Sequence, residues 1–206
     1  PDNVNGNWKG RINLGLITPL DKKKALVLQA VLGANYRRNV DFVGLNGNAA
    51  SRSVVKTSGL QENVSLQWRL GKSSLSFKSK GDWGHTTSTR QDFQPFNAIN
   101  INNGLTAQVL LPWKFQLGTD LTLYSRRGYT DKEMNTDDFV WNARLSRSFF
   151  KGRILAMIDG FDILGQLNNI TRMMNAQAIT ETYSNVIPRY VMFHISYKLK
   201  TMPKKK

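Results

Sequence analysis

The sequence contains no cysteine among its 206 residues and only two histidines, His85 and His194. The absence of cysteine excludes disulfide bridges, thiolate metal sites and thiol catalysis. The other polar residues form no Ser, His and Asp set with the spacing of a hydrolase. We therefore predict that the protein is not an enzyme and that it binds neither a metal nor another cofactor.

Long hydrophobic runs are also missing. No apolar stretch approaches the roughly 20 residues that a membrane-spanning helix requires. The chain begins with PDNVNGNW, which indicates a loop that leads into a strand and shows no signal peptide. If the protein is exported, we expect that Pro1 is not its natural start.

Acidic residues are scarce relative to basic ones: 14 Asp and Glu stand against 29 Lys and Arg, a formal charge of +15. Such an excess requires a counter-charge, which nucleic acid, anionic lipid or an acidic ligand can supply. The basic residues cluster mainly at predicted turns and chain ends, and no RNP-like aromatic pair is present. We therefore predict no nucleic-acid partner, and we assign the positive charge to rims beside lipopolysaccharide phosphates.

Alternation of apolar and polar residues is abundant. In VSLQWRLGKSSLSFKS, residues 64–79, apolar and polar positions alternate up to Leu70 and resume alternating after the Gly71 turn, which predicts two strands. The same period of two recurs at 60–70, 99–111, 115–124, 139–149 and 191–199, and more weakly at 8–18, 25–36 and 153–161. The predicted fold class is all-β, an antiparallel up-and-down sheet of about nine strands without a convincing helix.

The predicted connections alternate in length. Short ones fall near 19–24, 71–73, 112–114 and 151–152, and long polar ones near 38–58, 84–95, 127–137 and 164–185. Transmembrane barrels have this organisation, with short turns at one membrane surface and long loops at the other. A soluble β-sandwich shows the same apolar and polar alternation, so periodicity alone does not separate the two classes.

Aromatic residues favour the membrane interpretation because they fall near strand ends. Beside the short turns lie Trp68, Trp113, Phe115, Phe149, Phe150 and Tyr197, and beside the long loops lie Tyr36, Trp83, Tyr124, Tyr129, Phe139, Trp141 and Tyr190. At a tilt of about 40°, the stretch from Trp141 to Phe149 spans roughly 20 Å along the membrane normal. That height is close to the ~25 Å apolar band of outer-membrane barrels.

Two segments near the C-terminus resemble a known family. They are similar to the C-terminal end of TonB-dependent outer-membrane receptors of the Bacteroidetes type. The first segment is DDFVWNARLSRSFFKGRILAMIDGFDILGQLNNITR, residues 137–172, and the second is PRYVMFHISYKLK, residues 188–200. The motifs that carry the resemblance are Val140-Trp141-Asn142, Phe150-Lys151-Gly152, Asp162 through Gln166, and Arg189-Tyr190 through Tyr197. The match is good over the last half of the chain and generic before it.

The resemblance implies a bacterial outer-membrane protein whose complete transmembrane barrel has about 22 strands and a plug domain. Residues 1–200 would form the C-terminal segment of that barrel, and residues 201–206 a basic C-terminal tail. The implied partners are outer-membrane lipid and lipopolysaccharide, the remainder of the barrel and its plug, a TonB-type energy-coupling protein that binds the missing N-terminal region, and an unidentified nutrient ligand. The implied function is import of that nutrient.

The residues at the predicted long-loop rim are the candidates for contact with ligand or lipid headgroups, because aromatic and cationic side chains concentrate there. They are Tyr36, Arg37, Arg38, Trp83, His85, Arg126, Arg127, Tyr129 and Arg189. Two alternatives stay open. One is a soluble β-sandwich or lipid-binding β-barrel with its apolar faces inward, and the other is a porin-like outer-membrane barrel without energy coupling.

Other polar patterns have simpler interpretations than a site. A calcium-loop spacing occurs among Asp131, Glu133, Asn135 and Asp137. Thr136 stands where such loops need glycine, so we interpret these residues as a solvated loop. Asp159 and Asp162 fall in the strand-end motif that the resemblance implies, and His194 falls on the polar side of the last strand.

Overall fold

The chain, in a computed structural model, is built from strands joined by turns and loops, with almost no helix. The structure describes residues 5–43, 51–90, 93–129, 132–167, 169–174, 179–184, 187 and 189–199. The strands are β1 (Trp8–Pro19), β2 (Leu26–Val43), β3 (Ser51–Leu70), β4 (Ser73–Ser88), β5 (Phe96–Leu110), β6 (Phe115–Arg127), β7 (Asp137–Phe149), β8 (Ile154–Phe161), β9 (Asn169–Met174), β10 (Ile179–Ser184) and β11 (Tyr190–Tyr197). Three 3-10 turns cover Pro112–Lys114, Lys132–Met134 and Phe150–Gly152.

Nine of these strands form a single antiparallel sheet, which confirms the predicted all-β, up-and-down topology. Strands β1 to β7 each pair with the next strand along the chain, and β11 completes the sheet by pairing with β8. Strands β9 and β10 pair with each other as a separate hairpin. Within the described part of the chain, β1 and β11 are therefore the two edges of an open sheet.

Several strands are longer than the alternation predicts. Strand β2 continues to Val43 and β3 begins at Ser51, so most of the predicted connection at 38–58 is strand. Strand β4 likewise reaches Ser88, inside the predicted connection at 84–95. In β3 and β4 the added residues are mostly polar on both faces, and in β2 Arg38 interrupts the apolar side, so hydrophobic alternation does not reveal the extensions. The predicted loop at 164–185 was also wrong in part, because it contains the β9–β10 hairpin.

The strand register sorts the side chains into two chemically different faces, because residues paired across antiparallel strands share a face. One row runs through Leu28, Leu66, Phe77, Leu105, Leu121 and Trp141. The adjacent row on the other side runs through Gln67, Ser76, Thr106, Asp120 and Asn142. We call these sides the apolar face and the polar face.

Burial in this sheet is the reverse of that in a water-soluble domain. On the apolar face, Leu14 is 70% exposed, Leu105 is 44% exposed and Leu145 is 37% exposed. On the polar face, Asp138 is 4% exposed and Asp159 is 2% exposed. Among the described residues, the buried hydrophobic side chains are only Val40, Val55, Met134 and Val140. The sheet therefore has no apolar core of its own, and the described residues leave its apolar face uncovered.

Candidate functional site

The predicted rim residues do not form one cluster, because the register divides them between the faces. Five belong to the apolar face: Tyr36, Arg38, Trp83, His85 and Arg127. Arg37 and Arg126 belong to the polar face. Tyr129 lies in the β6–β7 connection, and Arg189 lies just before β11.

The residues on the apolar face are held by aromatic and polar neighbours. The rings of Tyr36 and Trp8 stack with their centroids 4.7 Å apart. The rings of Trp83 and His85 are nearly parallel at 6.3 Å, and His85 Nδ1 lies 2.9 Å from Asn97 Oδ1. Because β2 extends to Val43, Tyr36 lies inside a strand and not beside a loop. These side chains form two separate ring pairs on the same face, one across β1 and β2 and one within β4.

Arg126, on the polar face, connects β6 with β7 through its side-chain contacts. Its guanidinium forms an ion pair with the carboxylate of Asp138, which is almost completely buried. It also donates to Thr136 Oγ1 at 3.1 Å and lies 5.8 Å from the centre of the Tyr124 ring. An arginine with these contacts holds the ends of β6 and β7 together.

Arg127 forms a second ion pair beside the first, at the exposed end of the same strands. Arg127 Nη2 lies 2.6 Å from Asp137 Oδ2, and both side chains are about half exposed. The hydrogen bond from Arg127, and then one from Ser125, lower the pKa of the Asp137 carboxyl below its usual value. Water screens a pair at this exposure, so its contribution to stability is small.

Tyr129 and Asn135 fix the loop between β6 and β7. The Tyr129 hydroxyl donates to Asn100 Oδ1 at 2.9 Å, and its backbone N–H donates to Asn135 Oδ1 at 3.0 Å. The Asn135 amide returns a hydrogen bond to the Tyr129 carbonyl at 3.0 Å. Asn135 is thus engaged in a structural role, while Asp131, from the same calcium-like spacing, lies outside the described residues.

The strand-end motif that carries the family resemblance has a defined geometry at Asp162. This buried side chain accepts hydrogen bonds from the backbone N–H groups of Gln166 and Leu167, both at 3.0 Å. The Asp162 N–H donates to Asn142 Oδ1 at 2.9 Å. Arg189 packs nearby, since a Cβ added to Gly165 would lie 3.4 Å from Arg189 Nε. These contacts support the structural interpretation of Asp162.

A cluster that the sequence alone did not predict lies on the polar face at Arg144, Asp159 and His194. Arg144 Nε donates to Asp159 Oδ1, and His194 Nε2 lies 3.1 Å from Asp159 Oδ2. The second oxygen accepts no hydrogen bond from the described residues, so the His194 contact is close but poorly aligned for a hydrogen bond. The cluster joins three different strands, and its only sequence signal is that Arg144 and Asp159 are paired in the β7–β8 hairpin.

Two adjoining cavities lie in the sheet beside this cluster. The first, of about 290 Å³, is lined by Lys72, Gln108, Val109, Leu110, Gln116, Leu117, Gly118, Arg144 and Ser146. The second, of about 250 Å³, shares Gln108, Gly118 and Arg144 with the first and continues past Asp120, Asn142 and Asp159 to Phe161. A Cβ added to Gly118 would meet no atom within 4 Å, so this glycine leaves the space open.

No group of three or more His, Asp and Glu side chains among the described residues could hold a metal ion. No described helix has the length and apolar content needed to span a membrane. Comparison of the chain with protein-family models, with curated proteins and with solved structures found no match.

Proposed function

We propose that this chain is the C-terminal segment of an outer-membrane, TonB-dependent receptor-like barrel of about 22 strands, which imports a nutrient. The observation that carries the proposal is the inverted burial of the sheet. Large apolar side chains such as Leu14 and Phe193 are exposed along one face, whereas Asp138 and Asp159 are buried on the other. In a membrane barrel the first face contacts lipid and the second borders an aqueous interior.

The positions of the short turns, which shift along the strands relative to the rows of paired residues, support the barrel geometry. The row of paired residues that starts at Pro19, the last residue of β1, crosses β7 at Asn142, seven residues before Phe149, the last residue of β7. Seven residues correspond to about 23 Å along a strand, and the six intervening strand spacings to about 29 Å. If the short turns lie in one plane, the strands tilt by about 40°, as transmembrane strands do.

The aromatic side chains at the short-turn end support a membrane boundary. Phe115 and Phe149 lie on the apolar face, and the Arg147 guanidinium lies 4.9 Å from the centre of each ring. Aromatic rings with a cation between them suit the level of lipid headgroups, where a phosphate can pair with the charge. Two aromatic residues from the predicted bands, Tyr124 and Tyr190, fall on the polar face and therefore do not belong to this boundary.

The open edges support a larger assembly. Strands β1 and β11 each lack a neighbour on one side among the described residues, and β1 is exposed along nearly its whole length. Unpaired strand edges promote aggregation, and closed barrels remove them. A soluble sandwich, the first alternative, requires a second sheet over the apolar face, whereas the large side chains of that face are exposed and the other described sheet has only two strands.

Surface labelling of the full-length protein in intact bacteria tests the proposal. One variant carries an epitope tag in the β6–β7 connection, and its matched control carries the same tag in the β3–β4 turn at Gly71–Lys72. We expect both variants to fractionate with the outer membrane, and antibody to label only the first variant on intact cells. Recovery of both variants in a soluble fraction would overturn the proposal. If cells that lack the energy-coupling protein still take up the nutrient through this protein, a porin-like barrel would be favoured.

A further inference from the structure

We propose that the polar face carries an anion-binding subsite at Gly118, between Lys72 and Arg144, for a carboxylate or phosphate group of the transported ligand. The inference rests on the proposed function in one respect, because it treats the polar face as the lining of the transport path. It adds a chemical class for the ligand and a location for its recognition.

Arg144 is positioned for anion recognition by the carboxylate behind it. Its Nε donates to Asp159, whose side chain is only 3% exposed. The Arg144 side chain is 56% exposed, and its two terminal nitrogens have no partner among the described residues. A guanidinium fixed through Nε presents two parallel N–H groups, the arrangement that binds a carboxylate or phosphate through two hydrogen bonds.

Lys72 supplies a second positive charge from the other side of the cavity. It follows Gly71, which has a φ of 62° and allows the two-residue turn between Leu70 and Ser73. The Ser73 hydroxyl accepts a hydrogen bond from the Leu110 N–H at 3.2 Å, which ties this turn to β5. The Lys72 ammonium group makes no ion pair with any described residue, so its charge is free for a ligand.

The cavity between these two cations has a lining suited to an anion. It contains the amides of Gln108 and Gln116 and the hydroxyl of Ser146, all of which can donate hydrogen bonds, and none of its lining residues is acidic. Its volume of about 290 Å³ accommodates a small oxyanionic group with bound water. The acidic residues Asp120 and Asp159 line the adjoining cavity instead.

Gly118 gives the ligand access to Arg144. It is paired with Gln108 on one side and with Arg144 on the other, in the middle of the sheet. A side chain at this position would fill the space between those two residues, since open space surrounds the site of its Cβ. Glycine weakens a strand interior, so its presence fits a site where a ligand approaches the backbone.

The test is equilibrium dialysis of radiolabelled inorganic phosphate and, separately, of glutarate against the full-length protein in detergent micelles at low ionic strength. Gly118→Val closes the cavity without changing a charge. Its matched control is Gly84→Val, because Gly84 also opens to empty space on the polar face but lies outside the cavity. The control for Lys72→Gln is Lys22→Gln, because Lys22 lies in the β1–β2 turn.

We expect wild type to bind at least one of the two anions, and the relative affinities for phosphate and glutarate to identify the anionic group. Lys72→Gln and Arg144→Gln should each weaken binding by about tenfold or more, as expected for loss of a charge-assisted hydrogen bond. Gly118→Val should abolish binding, and the two control variants should bind as wild type does. If Arg144→Gln does not fold, the Lys72 and Gly118 variants still decide the outcome.

Wild-type protein that binds neither anion would overturn the subsite, and so would a Gly118→Val variant that binds as well as wild type. Fractionation in the same cells separates this failure from failure of the proposed function. A protein that stays in the outer membrane and binds no anion rejects only the subsite. A protein that binds the anions but does not reach the outer membrane rejects only the barrel.

Discussion

Glu62 and Ser79 are hydrogen-bonded across β3 and β4 at 2.7 Å, on the apolar face of the sheet. Glu62 is flanked by Leu32 on β2 and by Gly81 on β4, where a Cβ would come within 2.9 Å of its side chain. It lies eight residues from the β3–β4 turn, roughly 20 Å along the membrane normal at a 40° tilt. In the proposed barrel this carboxylate lies inside the apolar band.

The position of Glu62 gives a test of stability. If the apolar face contacts hydrocarbon, Glu62→Leu should raise the free energy of unfolding in phospholipid micelles by up to about 2 kcal/mol, because a charge leaves the lipid face. Gln61→Leu is the control, since Gln61 is the neighbouring residue on the polar face. Equal effects of the two substitutions in urea titrations would show that the faces do not differ in environment.

The Arg144–Asp159 pair should matter more than its exposed counterpart. Arg144→Gln should lower the free energy of unfolding by about 1–3 kcal/mol, because it leaves the buried Asp159 carboxylate with only the poorly oriented His194 contact. Adding Asp159→Asn should restore part of that loss, since the unpaired charge is removed. Arg127→Gln breaks the half-exposed pair with Asp137 and should cost clearly less. A larger loss for Arg127→Gln would contradict the burial described for Asp159.

Asp162 offers a test of the strand-end motif. Asp162→Ala removes both acceptors of the Gln166 and Leu167 N–H groups and should cost about 1–3 kcal/mol in the same unfolding measurement. Asp162→Asn keeps one acceptor, and asparagine tolerates the left-handed conformation of this residue, which has a φ of 42°. The Asn variant should therefore be the milder one. If both variants unfold like wild type, the motif is dispensable for the fold.

Hydrogen exchange at the two edges tests the larger barrel. In the full-length protein in micelles, amides of β1 and β11 should exchange as slowly as those of the central strands β4 and β5, because closure gives every strand two neighbours. Fast exchange along one side of β1 in the full-length protein would indicate an open edge and would contradict closure. The β4–β5 pair serves as the internal reference.

Much of the sheet could be predicted because its period of two is strong wherever one face is apolar. The Gly71 turn and the alternation at 64–79 both appear in the structure as expected. The extension of β2 to Val43 was missed because Arg38 interrupts the apolar side of the strand before Val40 and Phe42. The β9–β10 hairpin was missed for a related reason, since ITETYS carries no run of apolar residues on one side.

The candidate site was less predictable because it depends on register. Sequence composition found the cationic and aromatic residues of the rim, but it could not show that Arg126 and Arg127 project to opposite faces. Nor could it show that Asp159 is buried beneath Arg144, on a neighbouring strand. The pairing of β7 with β8 fixes that contact, and pairing is set by the turn at Phe150–Gly152 together with the packing of whole strands.

The central claim is that the apolar face contacts lipid and the polar face contacts water. The most direct measurement places single cysteines along β6, from Leu117 to Leu123, in a chain that has no native cysteine, and attaches a nitroxide spin label to each. In phospholipid vesicles, labels at Leu117, Leu121 and Leu123 should collide mainly with oxygen dissolved in the bilayer. Labels at Gly118, Asp120 and Thr122 should collide mainly with a water-soluble nickel complex. Labels at the three leucines that are protected from both reagents would contradict the account, because such leucines would lie in a dry protein core.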